Sequence, residues 1–147
     1  MSYPSRPMVC VCVPTYNAGS TLGEAMDSFL GQTYGNLQVF IVDNASTDNT
    51  LEIAGAYARK DARVRIFRND VNIGAEGNFT RCLQLAAGDY TAIFHADDVY
   101  TPRMVEDEVG FLETHREAGA VFSMAVEIDG KGKERRTYTL PGGLRAL

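Results

Sequence analysis

Two adjacent carboxylates, Asp97 and Asp98, follow a short apolar run, Tyr90 to Phe94, that reads as a strand. A carboxylate pair at a strand end suits a hard divalent cation such as Mg²⁺ or Mn²⁺. Such ions take oxygen ligands and commonly use one or two protein carboxylates, leaving positions for substrate phosphates. Three other apolar runs end in the same manner. Met8 to Pro14 leads into Thr15-Tyr16-Asn17-Ala18-Gly19-Ser20, and Leu37 to Val42 leads into Asp43-Asn44-Ala45-Ser46-Thr47-Asp48. Val64 to Phe67 leads into Arg68-Asn69-Asp70 and then Asn72-Ile73-Gly74. Asp43 has the chemistry to accept a hydrogen bond from a nucleobase N–H, Tyr16 to stack on that base, and Thr15 and Asn17 to bond ribose or base. Each also has an ordinary structural alternative: an Asx-turn for Asp43, loop hydrogen bonding for Thr15 and Asn17, a turn ahead of Pro102 for Asp97 and Asp98. Asp48 reads as a helix cap. Arg68 reads equally as a phosphate partner or a solvated cation. His95 faces the same region by position. Four consecutive strand ends carrying such groups is a concentration that a purely structural domain does not need.

The elements that position these residues alternate. Helical periods run over Thr21 to Gln32, with Thr21 and Glu24 spaced as a capping box, and from Asp48 to about Arg59. Ala75 to Ala87 reads as a helix closed by Gly88, and Pro102 opens another that runs to about His115. Ala120 to Ile128 reads as a fifth strand, Asp129-Gly130 as a hairpin turn, and Arg136 to Thr139 as its antiparallel return. The tail over 141–147 carries no pattern. Strands separated by helices predict an α/β fold: a Rossmann-like, mostly parallel sheet flanked by helices, with right-handed crossovers. In such sheets ligands bind outside the carboxyl ends of the strands, where the polar residues fall here.

Composition narrows the function classes. The chain has 147 residues, with 14 Lys+Arg against 19 Asp+Glu and a net charge of −5, which fits one domain over 1–147 and argues against nucleic acid as a partner. No apolar run reaches the roughly 18 residues of a membrane span, and Met1 to Pro7 lacks the apolar core of a signal peptide. A cytoplasmic location is expected. The 3 cysteines are too few for a disulfide framework, and Cys10 and Cys12 alternate with valines as buried small hydrophobes would. Asn44-Ala45-Ser46 and Asn78-Phe79-Thr80 match the glycosylation sequon by chance in such a setting. There is no G-x-G-x-x-G after the first strand, no P-loop and no G-x-S-x-G.

Taken together, Val11-Cys12-Val13-Pro14-Thr15-Tyr16-Asn17, Ile41-Val42-Asp43-Asn44-Ala45-Ser46-Thr47-Asp48-Asn49-Thr50, Asn72-Ile73-Gly74, Ala87-Gly88-Asp89-Tyr90 and His95-Ala96-Asp97-Asp98-Val99-Tyr100-Thr101-Pro102 resemble the N-terminal part of a family 2 glycosyltransferase with the GT-A fold. The order and spacing of the pieces are specific, and the likeness spans residues 8–133. The resemblance implies that Pro14, Thr15, Tyr16, Asn17, Asp43, Asn44 and Asp97 hold the nucleotide of a nucleotide-sugar, a UDP-sugar foremost, and that Asp97 and Asp98 ligate Mg²⁺ or Mn²⁺. His95 departs from the family pattern, which has Asp there in many members. The implied activity is sugar transfer to a glycan or lipid acceptor hydroxyl with inversion, as in cell-wall or polysaccharide assembly. The setting is cytoplasmic, at or near the inner membrane face. The family's catalytic base lies beyond the strand ending at Ile128, and no segment here resembles it. The expectation is a truncated GT-A unit: a fragment of a longer enzyme or, alternatively, a shortened nucleotide-binding module that could pair as a homodimer.

Overall fold

The computed structural model describes residues 6–138, so Thr139 and the expected tail lie outside the described residues. The chain divides into two compact units, the first ending at Arg103 and the second beginning at Met104.

The first unit runs β1 (Val9–Thr15), α1 (Leu22–Leu30), β2 (Leu37–Asp43), α2 (Thr50–Lys60), β3 (Val64–Arg68), α3 (Gly74–Leu85) and β4 (Tyr90–Ile93). Its four strands form one parallel sheet in the order β3-β2-β1-β4. Parallel strands covered by crossover helices bury both faces, which is why β1 and β2 are continuous runs of Val, Ile, Leu, Phe and Cys. Val9 to Val13 and Val39 to Val42 are buried. The helices contribute Leu22, Ala25, Met26 and Phe29 from α1, Ala54 from α2 and Cys82 from α3. Cys10, Cys12 and Cys82 pack with Phe40 and Val42 as small hydrophobes, and the Cys12 thiol donates to the Cys82 carbonyl at 3.4 Å. The chain leaves β2 toward β3 on one side of β1 and returns to β4 on the other. The direction of winding thus reverses between β1 and β4, and the crevice outside their carboxyl ends is the topological switch point.

Several local expectations are corrected. Thr21 precedes α1 but makes no side-chain bond into the helix; its hydroxyl donates back to the Ala18 carbonyl at 3.4 Å, so there is no capping box. Helix α3 ends at Leu85, three residues before Gly88. Gly88 is required by a close approach instead: a Cβ there would lie 2.8 Å from the Met8 carbonyl, 2.9 Å from the Tyr90 carbonyl and 3.0 Å from the Cys10 amide. The glycine lets the chain turn against the start of β1, where the Asp89 and Tyr90 amides both donate to Met8.

The second unit holds α4 (Met104–Thr114) and an antiparallel hairpin of β5 (Ala125–Ile128) and β6 (Glu134–Tyr138). The Asp129 carboxylate closes the turn by accepting the Lys131 and Lys133 amides at 2.9 and 3.1 Å. The expected strand from Ala120 is shorter than its apolar composition suggested. No ladder partner serves residues 120–124 among the described residues, and Phe122 stands 81% exposed.

Gly88→Ala is predicted to destabilise the fold by about 2 kcal/mol, because the atoms met are backbone and cannot rotate away. Gly110→Ala, in an open position of α4, serves as the control and is expected to be neutral or mildly stabilising. Urea unfolding of the two variants checks both.

Candidate functional site

Parallel register places Thr15, Asp43 and Arg68 side by side at the ends of β1, β2 and β3. Asp43 is the centre of this row and is fully buried. Its Oδ2 accepts the Ser46 amide at 3.0 Å and faces the Arg68 Nε at 3.6 Å, while Oδ1 is buried without a hydrogen-bond partner. A buried carboxylate oxygen left unpaired is costly, and such an exception points to strain, a catalytic role, or a water, ion or ligand that completes the bonding. The turn that brings Ser46 under Asp43 forces Ala45 to φ 61°. A non-glycine residue there stores roughly 1–2 kcal/mol of backbone strain, of the kind often found at functional sites.

The loop after β1 is pinned to the loop after β2. Asn17 donates its amide to Ser46 Oγ at 2.9 Å, and Ala18 donates to Thr50 Oγ1 at 2.8 Å. Gly19 donates to Asp48 Oδ2 at 2.9 Å, and Thr47 donates back to Asn17 Oδ1 at 2.9 Å. Asn17 adopts φ 50°, which asparagine tolerates. Locked this way, the loop presents Tyr16, whose ring is half exposed, beside half-buried Pro14. Thr15 is buried and its hydroxyl donates to the Val42 carbonyl at 3.4 Å. The cap position of α2 expected at Asp48 falls to Asn49 instead; Asp48, one residue earlier, accepts the Thr50 amide at 3.0 Å and the Thr50 hydroxyl as well. The hydroxyl, the Thr50 amide and the Gly19 amide together hold its carboxyl below the usual carboxylate range.

Asn44 is reassigned by its bonding. Its Nδ2 donates to Asn72 Oδ1 at 2.9 Å and to the Gly74 carbonyl at 3.1 Å. Its Oδ1 accepts Asn69 Nδ2 and the Ile73 amide, both at 3.0 Å. All four side-chain bonds of the amide are used within the protein, so Asn44 shapes the site and has none left for a nucleotide. Its burial, and that of Asn78, also closes both glycosylation sequons. The asparagines that complete this network, Asn69 and Asn78, carried one legible sign: Asn78 occupies a core position in the helical period of α3, where an apolar residue is the default.

On the far side of β1, Asp97 and Asp98 are both exposed in the turn after β4. The Asp98 amide donates to the His95 carbonyl at 3.3 Å, and the His95 amide donates to the Tyr100 hydroxyl at 3.0 Å. Tyr100 is anchored by stacking on Phe94, with ring centroids 3.9 Å apart. Burial pushes its hydroxyl up to about 12, the charges of Asp98 and Asp97 adding to the rise and the His95 amide opposing it. The His95 imidazole lies against Phe79 of α3, 5.7 Å between centroids. Among the described residues no third His, Cys, Asp or Glu joins the two carboxylates in a cluster. Two exposed carboxylates have the donor chemistry of an open, partly hydrated cation site and not of a closed structural one.

The family model for Glycosyl transferase family 2 matches residues 10–146. The chain belongs to this family. EpsE of Bacillus subtilis (strain 168) is 41% identical to it over 113 residues, covering 76% of the chain and 41% of EpsE. Among solved structures, S. aureus TarS 1-349 in complex with UDP superposes with a TM-score of 0.69 at 27% identity, over 74% of the chain and 33% of that one. The mannosyltransferase PcManGT from Pyrobaculum calidifontis, in complex with GDP-Man and Mn²⁺, gives 0.68 at 29% identity, over 74% and 33%. The parallel sheet and its flanking helices are therefore those of the GT-A fold, and the chain spans between a third and about two-fifths of the length of these relatives.

The stabilisation from Asp48 has a defined pH window. A carboxyl whose folded value lies below its ordinary value of 3.8 stabilises the protein fully above that value and loses the effect as pH falls through the folded one. Asp48→Asn is predicted to flatten the acid limb of stability below about pH 4. Urea midpoints measured between neutral and strongly acid pH check this; parallel curves for the two proteins would reject it.

Proposed function

We propose that this chain forms the donor-binding part of a glycosyltransferase that transfers a sugar from a UDP-sugar to an acceptor hydroxyl, with inversion and with a divalent cation. The observation that carries the reading is the buried, unpartnered Oδ1 of Asp43 at the carboxyl edge of a parallel sheet. One free acceptor oxygen matches uracil, which offers a single ring N–H between two carbonyls. Guanine offers two adjacent donors, and Oδ2 of Asp43 is already committed to the Ser46 amide. Cytosine presents a bare ring nitrogen at the same edge and would meet the carboxylate as acceptor against acceptor. The exposed Tyr16 ring is placed to stack on the base, with Pro14 and Asn17 beside it, and Thr15 shapes the floor from within.

Asp97 and Asp98 are the proposed ligands of Mg²⁺ or Mn²⁺. When bound, that ion neutralises charge on the leaving diphosphate. An acidic chain of net −5 needs such a bridge to a polyanion. The rest of the work of this segment is positioning. A fixed uridine orients the anomeric carbon so that an acceptor hydroxyl approaches opposite the leaving group; its oxygen bonds to that carbon with inversion as the bond to the nucleoside diphosphate breaks, and its proton passes to a carboxylate base. Among the described residues no helix is long and apolar enough to cross a membrane. The proposed setting is the cytoplasmic face, where nucleotide-sugar meets a lipid-linked or glycan acceptor.

Titration calorimetry with UDP, CDP and GDP, each with Mn²⁺ and with EDTA, tests the reading. UDP is expected to bind most tightly, chelation to weaken it, and Asp97→Ala with Asp98→Ala to abolish the metal effect. Asp43→Ala is expected to weaken UDP binding by roughly 1–3 kcal/mol, the scale of a lost charged hydrogen bond. Equal affinity for the three nucleotides, or an indifferent Asp43→Ala, would overturn the assignment.

A further inference from the structure

Helix α3 carries an amide where its packing face calls for a hydrocarbon. Asn78 is 3% exposed and sits among the core-facing positions of the helix with Cys82. Asparagine is a mediocre helix former, and a buried amide must have all its partners supplied, so this choice works against the helix unless the bonds are used. They are used on the site. The Asn78 Nδ2 donates to the Val42 carbonyl at 2.9 Å, the peptide that leads directly into Asp43. Its Oδ1 accepts from Asn69 Nδ2 at 3.0 Å. Asn69, itself 6% exposed, grips Asp43 from the other side: its backbone amide donates to the Asp43 carbonyl at 2.8 Å, and its Nδ2 also reaches Asn44 Oδ1 at 3.0 Å. The peptides on both sides of the Asp43 Cα are thus tied, one directly and one through Asn69, to a single helix side chain.

We infer that Asn78 is a positioning residue for nucleotide recognition, holding the end of β2 so that the free oxygen of Asp43 is presented at a fixed angle to the base. The inference rests on the reading of Asp43 as the base acceptor given above. Strand pairing alone does not supply this control. β2 ends at Asp43; the Asn44 amide still donates to the Thr15 carbonyl at 2.8 Å, but the chain then enters the strained turn at Ala45, and backbone pairing does not by itself aim the Asp43 side chain. The Ser46 amide and Arg68 fix Oδ2 within the plane of the group, but they ride on loop and strand-end residues that need an anchor of their own. Asn78 provides that anchor from a regular helix, which is stiffer than either loop. A packing role would be met equally by leucine. Holding Val42 and Asn69 together calls for a side chain that donates to one and accepts from the other; the Thr15 hydroxyl reaches the Val42 carbonyl too, but at a longer 3.4 Å and without Asn69.

The test is a double-mutant cycle on UDP binding in the presence of Mn²⁺. Asn78→Asp keeps the shape and the acceptor for Asn69 but cannot donate to Val42; Asn78→Leu removes both bonds with the same branching but a larger volume. Asn78→Ser, which is smaller and retains a hydroxyl, replaces either one that does not fold. Circular dichroism and urea unfolding establish that each variant is native. Each is expected to weaken UDP binding about five- to twentyfold and to narrow the preference for UDP over CDP. In an Asp43→Ala background the same substitutions are expected to have little further effect, because their target is gone. An equal loss in both backgrounds would show that Asn78 acts on stability or packing independently of Asp43, and overturns the inference. Undiminished UDP affinity in the native single variants overturns it too. If Asp43→Ala alone leaves UDP binding unchanged, the underlying reading of Asp43 falls, and that result is read from the single variant without reference to Asn78.

Discussion

A carboxylate taken wholly out of water, with one oxygen bonded and the other not, is the constraint around which the first unit is arranged. Desolvating Asp43 is unfavourable unless its surroundings are polarised toward it. The fold meets this with the Ser46 amide, the neighbouring Arg68 guanidinium and a set of buried asparagines that fix the backbone on either side. Those asparagines in turn tie the loop after β3 and the start of α3 to the end of β2, through Asn44 to Asn72, Ile73 and Gly74. The polar edge of the sheet is thus cross-bonded, although each strand end taken separately is only a short loop.

Parallel pairing makes this possible. In a parallel sheet every strand delivers its carboxyl end to the same edge, so residues far apart in sequence arrive in one row without any local signal. Thr15, Asp43 and Arg68 stand in register on three strands, and the reversal of winding between β1 and β4 opens a crevice of the kind in which parallel sheets bind ligands. The two sides of that crevice differ in construction. On the β2 side the polar groups are buried and bonded to each other. On the β4 side Asp97 and Asp98 are exposed, on a turn steadied by the Tyr100 hydroxyl and its stack on Phe94. A rigid buried acceptor suits the recognition of a flat base by a few directional bonds. Exposed carboxylates suit a hydrated ion that keeps part of its water shell.

Membership of glycosyl transferase family 2 rests on segments distributed over nearly the whole chain, and the structural likeness to TarS and PcManGT rests on the sheet and helices that hold those segments. The two solved relatives hold different nucleotides, UDP in one and GDP-Man in the other. The fold therefore does not choose the base. In this chain the proposed choice rests on one carboxylate, whose single uncommitted oxygen limits the donors a base can satisfy.

Much of this was legible in the amino-acid sequence. The alternation of apolar strand runs with helical periods determined a parallel α/β sheet, because only crossover helices let consecutive buried strands run the same way. The concentration of polar residues after four strands marked the candidate functional edge, and Asp43, Tyr16, Asp97 and Asp98 stand out there by type and place. What a linear reading could not decide was which polar side chains are free. Asn44 looked like a nucleotide ligand by position, yet all its bonds are spent on Asn69, Asn72, Ile73 and Gly74, residues 25 or more positions away. Thr21 and Gly88 looked like a cap and a stop, yet one bonds backward to Ala18 and the other yields room to β1. Hydrophobic periodicity is a property of neighbours along the chain and survives in the sequence. The saturation of a hydrogen-bonding group depends on partners brought together from different strands and helices, so only the tertiary structure determines it.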